Sequence, residues 1–215
     1  MSAMKKVWFF DLDGTLADTD RDIREAWKSA LADLGLECPD FDEKFVAGPP
    51  IEEMLGVLFP GRCCERLAAD VREGFGRHYD HDGFPNTPEY PGVMDAVRRI
   101  KARGARVYIA TNKRLAGAKA MAAKFGWMEV FDGLYTGDMH KDDPIGRLRK
   151  PELLGLVLSE IGARPEECVM VGDTWSDFEA AERNGMDSIG VTWGYGTPED
   201  LRRAGRLVSS PLELA

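Results

Sequence analysis

Three observations predict an α/β fold with a parallel sheet flanked by helices and a helical insert after the first strand. Apolar strand-like runs alternate with helical patterns along the chain. Most of those runs are continuous rather than alternating, as strands covered on both faces require. One interval, between the first and second strands, is far too long for a simple crossover and is mostly helical.

The first strand is Val7-Trp-Phe-Phe10. The long interval then opens. Ile23, Ala26, Trp27, Ala30, Leu31 and Leu34 form one apolar stripe at helical spacing, ended by Gly35. Ile51, Met54, Leu55 and Leu58 mark a second helix, and Leu67, Ala68, Val71, Phe75 and Tyr79 a third. Pro85, Pro88 and Pro91 punctuate the return. The predicted division is therefore 1–16 with 88–215 for the α/β core, and 17–87 for the helical insert.

After the return, Val93, Ala96, Val97 and Ile100 trace a helix that Gly104 stops. Strands follow at Arg106-Val-Tyr-Ile-Ala110 and Gly133-Leu-Tyr-Thr136. Leu153, Leu154, Val157, Leu158 and Ile161 form the next helix, opened by Pro151 and closed by Gly162. The strand Cys168-Val-Met-Val171, a helix carrying Phe178, Ala181 and Glu182, and the strand Ser188-Ile-Gly-Val191 complete the pattern. Strand–helix–strand repetition implies right-handed crossovers.

Composition narrows the function classes. The 215 residues carry 28 Lys+Arg and 37 Asp+Glu, a net charge of −9, with 44% hydrophobic residues. An acidic chain repels phosphate backbones, which argues against nucleic-acid binding. No apolar run reaches the roughly 20 residues of a membrane span. The start lacks the apolar stretch and cleavage site of a signal peptide, so a cytoplasmic protein is expected. The charge is uneven: residues 18–86 hold 8 basic and 16 acidic residues, and the remainder 20 and 21. A solvated outer face on the insert's helices accounts for that. Cys38, Cys63, Cys64 and Cys168 fit neither a disulfide framework nor a C-x-x-C motif. His78, His81 and His140 show no ligand spacing with a cysteine pair, and a solvated helix end suits His78 and His81 better than a metal.

The chemistry concentrates at strand ends. Asp11-Leu12-Asp13-Gly14-Thr15 follows the first strand, placing two carboxylates on one side of the chain. The second strand ends in Ala110-Thr111-Asn112-Lys113, and the fourth in Gly172-Asp173-Thr174-Trp175-Ser176-Asp177. Lys150-Pro151 opens the helix between the third and fourth strands. Taken singly, Thr111 and Asp173 read as helix caps, Asp177 and Lys150 as surface charges. Together they share one edge of the sheet, where α/β folds bind ligands. Asp11, Asp13, Asp173 and Asp177 crowded there demand a dication, and hard oxygen donors without histidine or cysteine favour Mg²⁺ over zinc. A cation beside a lysine and a hydroxyl describes a phosphoryl site.

These motifs, D-x-D-G-T, a strand-terminal Thr, a Lys and G-D-x-x-x-D, resemble those of the haloacid dehalogenase-like superfamily, in family order from Val7 to the last strand. The resemblance implies a Rossmann-like core with a helical cap at 17–87 that closes over a small phosphorylated metabolite. It implies Asp11 as the nucleophile that forms an aspartyl-phosphate, and Asp13 as acid towards the leaving alcohol and then base towards water. Thr111, Asn112 and Lys150 would bind the phosphoryl group. Asp11, the main-chain carbonyl of Asp13 and Asp173 would ligate Mg²⁺, and Asp177 would hold that set from behind. Asp11-Leu-Asp-Gly-Thr-Leu-Ala-Asp18, Ala110-Thr-Asn-Lys113 and Trp193-Gly-Tyr-Gly-Thr197 are most similar to phosphoglycolate phosphatases. Relatives acting on pyrophosphate, nucleotides or sugar phosphates, and phosphomutases, share the same pieces.

Some positions depart from the pattern or stay open. Lys150-Pro151 is followed by Glu152-Leu153 where the superfamily usually carries a further Pro, and Lys141 is the lesser alternative lysine, because its neighbours begin no helix. Gly48-Pro49-Pro50 reads equally as a substrate-facing loop and as a plain helix start. Arg21, Arg24 and Lys28 are the nearest basic candidates for a substrate anion. Asp13 argues against a dehalogenase, whose halide needs no proton. The motif order and the insert argue against a phospho-acceptor receiver domain, and the full set of catalytic side chains against an inert binding protein.

Overall fold

The computed structural model describes residues 5–49, 51–80, 83–139 and 148–214. His81, His140, Pro50 and the alternative lysine Lys141 lie outside them. The chain divides into two compact units, Met1–Asp18 with Pro88–Ala215, and Thr19–Thr87.

The first unit is an α/β layer structure. Its strands are β1 (Val7–Phe10), β2 (Arg106–Thr111), β3 (Gly133–Thr136), β4 (Cys168–Gly172), β5 (Asp187–Val191) and β6 (Arg206–Val208). They form one sheet in the order β3-β2-β1-β4-β5-β6, every pair parallel. The order reverses between β1 and β4, the position where open α/β sheets place their ligands. Register sets the rest: Phe10 lies opposite both Ile109 and Val171, so the residues after β1, β2 and β4 leave the sheet at one edge.

Alternate strand residues point to opposite faces. Val7, Phe9, Tyr108, Ala110, Cys168 and Met170 pack in one core with Leu153, Leu154, Val157 and Leu158. The intervening Trp8, Phe10, Val107, Ile109, Val169 and Val171 are buried too, which explains why these strands read as unbroken apolar runs.

The second unit is helical. It contains α1 (Asp20–Asp33), the single turn α2 (Phe41–Lys44), α3 (Ile51–Leu58) and α4 (Glu65–Tyr79). Trp27 of α1 meets Phe45 edge-on at 5.5 Å and Phe75 of α4 at 6.2 Å. The two chain ends of this unit are tied by Asp22, a buried carboxylate. It accepts from the Asn86 main-chain N–H at 3.1 Å, from Asn86 Nδ2 at 2.8 Å and from Thr87 Oγ1 at 2.5 Å.

Back in the α/β unit lie α5 (Val93–Ala102), α6 (Leu115–Phe125), α7 (Lys150–Glu160), α8 (Trp175–Arg183) and the short α9 (Pro198–Leu201). Several features depart from the sequence expectation. Leu34 is exposed because α1 ends at Asp33, and Glu182 is exposed while Ala180 of α8 is buried. The sequence pattern singled out no α6, since its buried face is Gly117, Ala118, Met121 and Ala122, residues with little apolar contrast. Nor did it single out β6, a three-residue edge strand with one buried side chain. Ala17 and Asp18 stay with the α/β unit: Ala17 bridges to Asp13 and Glu89, and the Asp18 N–H donates to the Pro88 carbonyl at 2.9 Å. All four cysteines are free thiols. Among the described residues no helix is long and apolar enough to cross a membrane.

Candidate active site

Asp11 extends the β1–β4 ladder by one bond, its N–H donating to the Val171 carbonyl at 2.9 Å. The chain then folds back tightly. The N–H groups of Leu16 and Ala17 return to the Leu12 carbonyl, and the Gly14 N–H reaches the carbonyl of Ala17. Gly14 has φ +75°, and a Cβ there would strike the Asp173 carboxylate. Glycine at this position therefore lets the first loop press against the residue after β4. The Thr15 hydroxyl donates to Asp173 Oδ1 at 3.3 Å across that contact.

The three carboxylates Asp11, Asp173 and Asp177 are all buried, and each offers an oxygen within 4.8 Å of the others. Lys150, the first residue of α7 and itself buried, enters the group from the side. Its Nζ lies 3.0 Å from Asp11 Oδ2 and 2.5 Å from Asp177 Oδ1. The other oxygen of Asp177 accepts from the N–H and hydroxyl of Thr174, both at 3.1 Å, and so caps α8. One carboxylate thus fixes a helix start and a lysine together.

Charge is not balanced here. Burial pushes Asp11 up to about 6 despite the opposing Lys150, with Asp177 and Asp13 adding to the rise. Burial, then Asp177 and Asp11, hold Asp173 well above the carboxylate range. For Lys150 burial alone would lower the value, but Asp11 and Asp177 outweigh it and keep the ammonium charged. Asp11 Oδ1 is buried and accepts no hydrogen bond from the described residues. An orphaned oxygen among three carboxylates, two of which share one lysine, fits a bound cation, which would supply the missing positive charge. The donors are all oxygens.

The remaining candidates sit around this cluster. Asp13 turns its side chain to Lys113, whose Nζ lies 2.8 Å from Oδ1, and so stands outside the three-carboxylate group. Thr111, buried at the end of β2, accepts from the Lys113 N–H at 3.1 Å. Asn112 is exposed, with its amide donating to Ser176 Oγ at 2.9 Å. In the helical unit Arg21, Arg24 and Lys28 each face a carboxylate of their own unit, Glu25, Asp20 and Asp42. Sequence reading named no role for Lys113, which is almost fully buried and grips Asp13. Its place two residues beyond a strand-terminal Thr was the available signal. It also missed Thr15 as a donor to Asp173.

A family model for haloacid dehalogenase-like hydrolases matches residues 5–185. The chain belongs to that family. Its phosphatase character agrees with its relatives. The chain is 35% identical over 205 residues to a probable phosphatase, IndB, of Dickeya dadantii, covering 94% of this chain and 87% of that protein. A 5′-nucleotidase of Pseudomonas aeruginosa is 30% identical, with 90% and 85% covered. A phosphoglycolate phosphatase of Colwellia psychrerythraea is also 30% identical, with 94% and 90% covered. The solved structure of a haloacid dehalogenase-like hydrolase from Streptococcus pneumoniae superposes with a TM-score of 0.83 at 26% identity, covering 100% of this chain and 98% of that one. This haloacid dehalogenase-like phosphatase therefore gathers its three clustered carboxylates just beyond β1 and β4 and at the start of α8, at one edge of a parallel sheet.

Proposed function

We propose that the protein hydrolyses phosphomonoesters of a small metabolite through an aspartyl-phosphate on Asp11, with Mg²⁺ as cofactor. The observation that carries this reading is the Asp11 carboxylate itself. It is buried at the end of β1, held through Oδ2 by Lys150, and left with Oδ1 unpartnered among the described residues, beside Asp173 and Asp177. A carboxylate so placed is a fixed nucleophile with a free electron pair.

In the first step Asp11 attacks phosphorus and the ester P–O bond breaks. Asp13 gives its proton to the departing alkoxide. In the second step Asp13 accepts a proton from water, the oxygen attacks the aspartyl-phosphate, and Asp11 returns with release of inorganic phosphate. Lys113 holds Asp13 in place between these roles. Thr111, Asn112 and Lys150 serve the phosphoryl oxygens, Lys150 with a permanent charge. Asp11, Asp173 and the main-chain carbonyl of Asp13 would hold Mg²⁺, with Asp177 steadying the set. Bound there, the ion would neutralise phosphoryl charge and relieve the repulsion among the carboxylates.

Phosphoglycolate heads the substrate candidates, supported by the Colwellia relative's name and by the Trp193-Gly-Tyr-Gly-Thr197 segment. A nucleoside monophosphate is the second reading, favoured by the relative named a 5′-nucleotidase. The four free thiols and net charge of −9 support a cytoplasmic protein that does not bind nucleic acid. Phosphate release from a panel containing phosphoglycolate, nucleoside monophosphates, sugar phosphates and pyrophosphate tests the proposal. Turnover with Mg²⁺ that ceases in excess chelator is expected. Full activity in chelator removes the cofactor, and no release from any ester removes the hydrolase reading.

A further inference from the structure

The segment after β5 takes no direct part in the chemistry above, yet it is built into the site. The Tyr195 N–H donates to Asp173 Oδ2 at 2.7 Å, and the Tyr195 hydroxyl donates to Asp18 Oδ1 at 3.0 Å. Trp193 Nε1 donates to the Thr15 carbonyl at 3.2 Å, and its ring lies 6.4 Å from that of Tyr90. A Cβ at Gly196 would overlap the Asp173 carbonyl oxygen, so the segment lies flat on that residue. One loop thus touches the turn after β1, the residue after β4, and Asp18, the last residue before the helical unit.

Asp173 needs such a hold. It is fully buried beside two other carboxylates, which repel it. Its Oδ1 takes the Thr15 hydroxyl and its Oδ2 the Tyr195 amide, so both oxygens are fixed and the carboxylate plane with them. Thr15 is bonded at 3.3 Å and Tyr195 at 2.7 Å, which makes the amide the tighter restraint.

We infer that Tyr195 is a positioning residue for the cation site: its amide orients Asp173, and its hydroxyl, anchored on Asp18, holds that amide where Asp173 needs it. The inference rests on the cation reading given above. It does not make Tyr195 a ligand or a catalytic group.

Calorimetric titration of Mg²⁺ into the metal-free protein tests it, alongside the Tm of each metal-free variant. Tyr195→Phe and Asp18→Ala should each weaken Mg²⁺ binding about threefold to tenfold, the worth of one hydrogen bond. The double variant should lose no more than the worse single variant, because both remove the same anchor. Asp18→Asn retains an acceptor for the hydroxyl and should bind as wild type does. Unchanged affinity in Tyr195→Phe, additive losses, or losses matched by a proportionate fall in metal-free Tm would overturn the inference. A wild-type protein that binds no Mg²⁺ strikes the cation reading itself, whereas wild-type binding with indifferent variants strikes only the role of Tyr195.

Discussion

Asp11 in the α/β unit and Asp22 in the helical unit are both buried carboxylates, and burial alone does not tell them apart. Their donors do. Asp22 is surrounded by the main-chain N–H and amide of Asn86 and the hydroxyl of Thr87, all at hydrogen-bond distance. Asp11 has a lysine on one oxygen, no hydrogen-bond donor on the other among the described residues, and two more carboxylates beside it. A satisfied buried charge ties a structure together. An unsatisfied one among like charges destabilises the fold and persists where chemistry uses it.

The same substitution at both positions should have opposite consequences. Asp11→Asn keeps the shape, removes the proposed nucleophile and relieves repulsion. Phosphate release should fall by about a thousandfold or more, while the metal-free Tm holds at wild type or rises. Activity above about a hundredth of wild type would contradict the assigned nucleophile. A loss of Tm would contradict the view that Asp11 is held against stability.

Asp13 sharpens the contrast within the site, because Lys113 pairs it while leaving it outside the carboxylate cluster. Asp13→Asn should cost about a hundredfold on an alkyl phosphate, whose alkoxide needs a proton, and far less on an activated aryl phosphate. Rates on the two esters measured side by side check this. Equal losses would place Asp13 in positioning rather than proton transfer.

What the sequence made legible follows the same division. Asp11 and Asp173 stood out because each ends an apolar strand, and parallel pairing with β1 and β4 in register brings strand ends together without further information. Lys150 stood out because Pro151 marks a helix start, and α7 does begin there. Asp22 did not, since an acid in the first turn of an amphipathic helix reads as solvated, and only the return of the chain at Asn86 and Thr87 reveals its partners. Tyr195 acts on Asp173 through a main-chain N–H, which no side-chain pattern encodes. Lys113 was written beside Thr111, but a lysine after a strand is ordinarily exposed. Contacts made by backbone or by residues distant in the chain leave little trace in local sequence.

For Asp22 the expected effect is on folding, and it is smaller than the catalytic ones. Asp22→Asn presents an amide to donors that now lack an acceptor, and should destabilise the protein by about 2–3 kcal/mol. Thermal or urea unfolding reads this directly. Turnover per folded molecule should change far less than in Asp11→Asn. If Asp22→Asn left stability intact, the network at Asn86 and Thr87 would not be the tie described.

Glu167 marks the mild end of the comparison, a partly exposed carboxylate with partners on both sides. Arg164 and Lys6 hydrogen-bond it and hold it down to about 2, against an ordinary 4.5. Because the folded value is depressed, its contribution is fully present above the ordinary value and is lost as pH falls from 4.5 towards about 2. The Tm advantage of wild type over Glu167→Gln should therefore be small at neutral pH, as for other solvent-screened pairs, and shrink through that acid window. An advantage that stays constant from neutrality down to the bottom of the window would show that the side chain acts through packing rather than charge. The sign is the opposite of that at Asp11, where burial raises the value and the ionised form is the one disfavoured by folding.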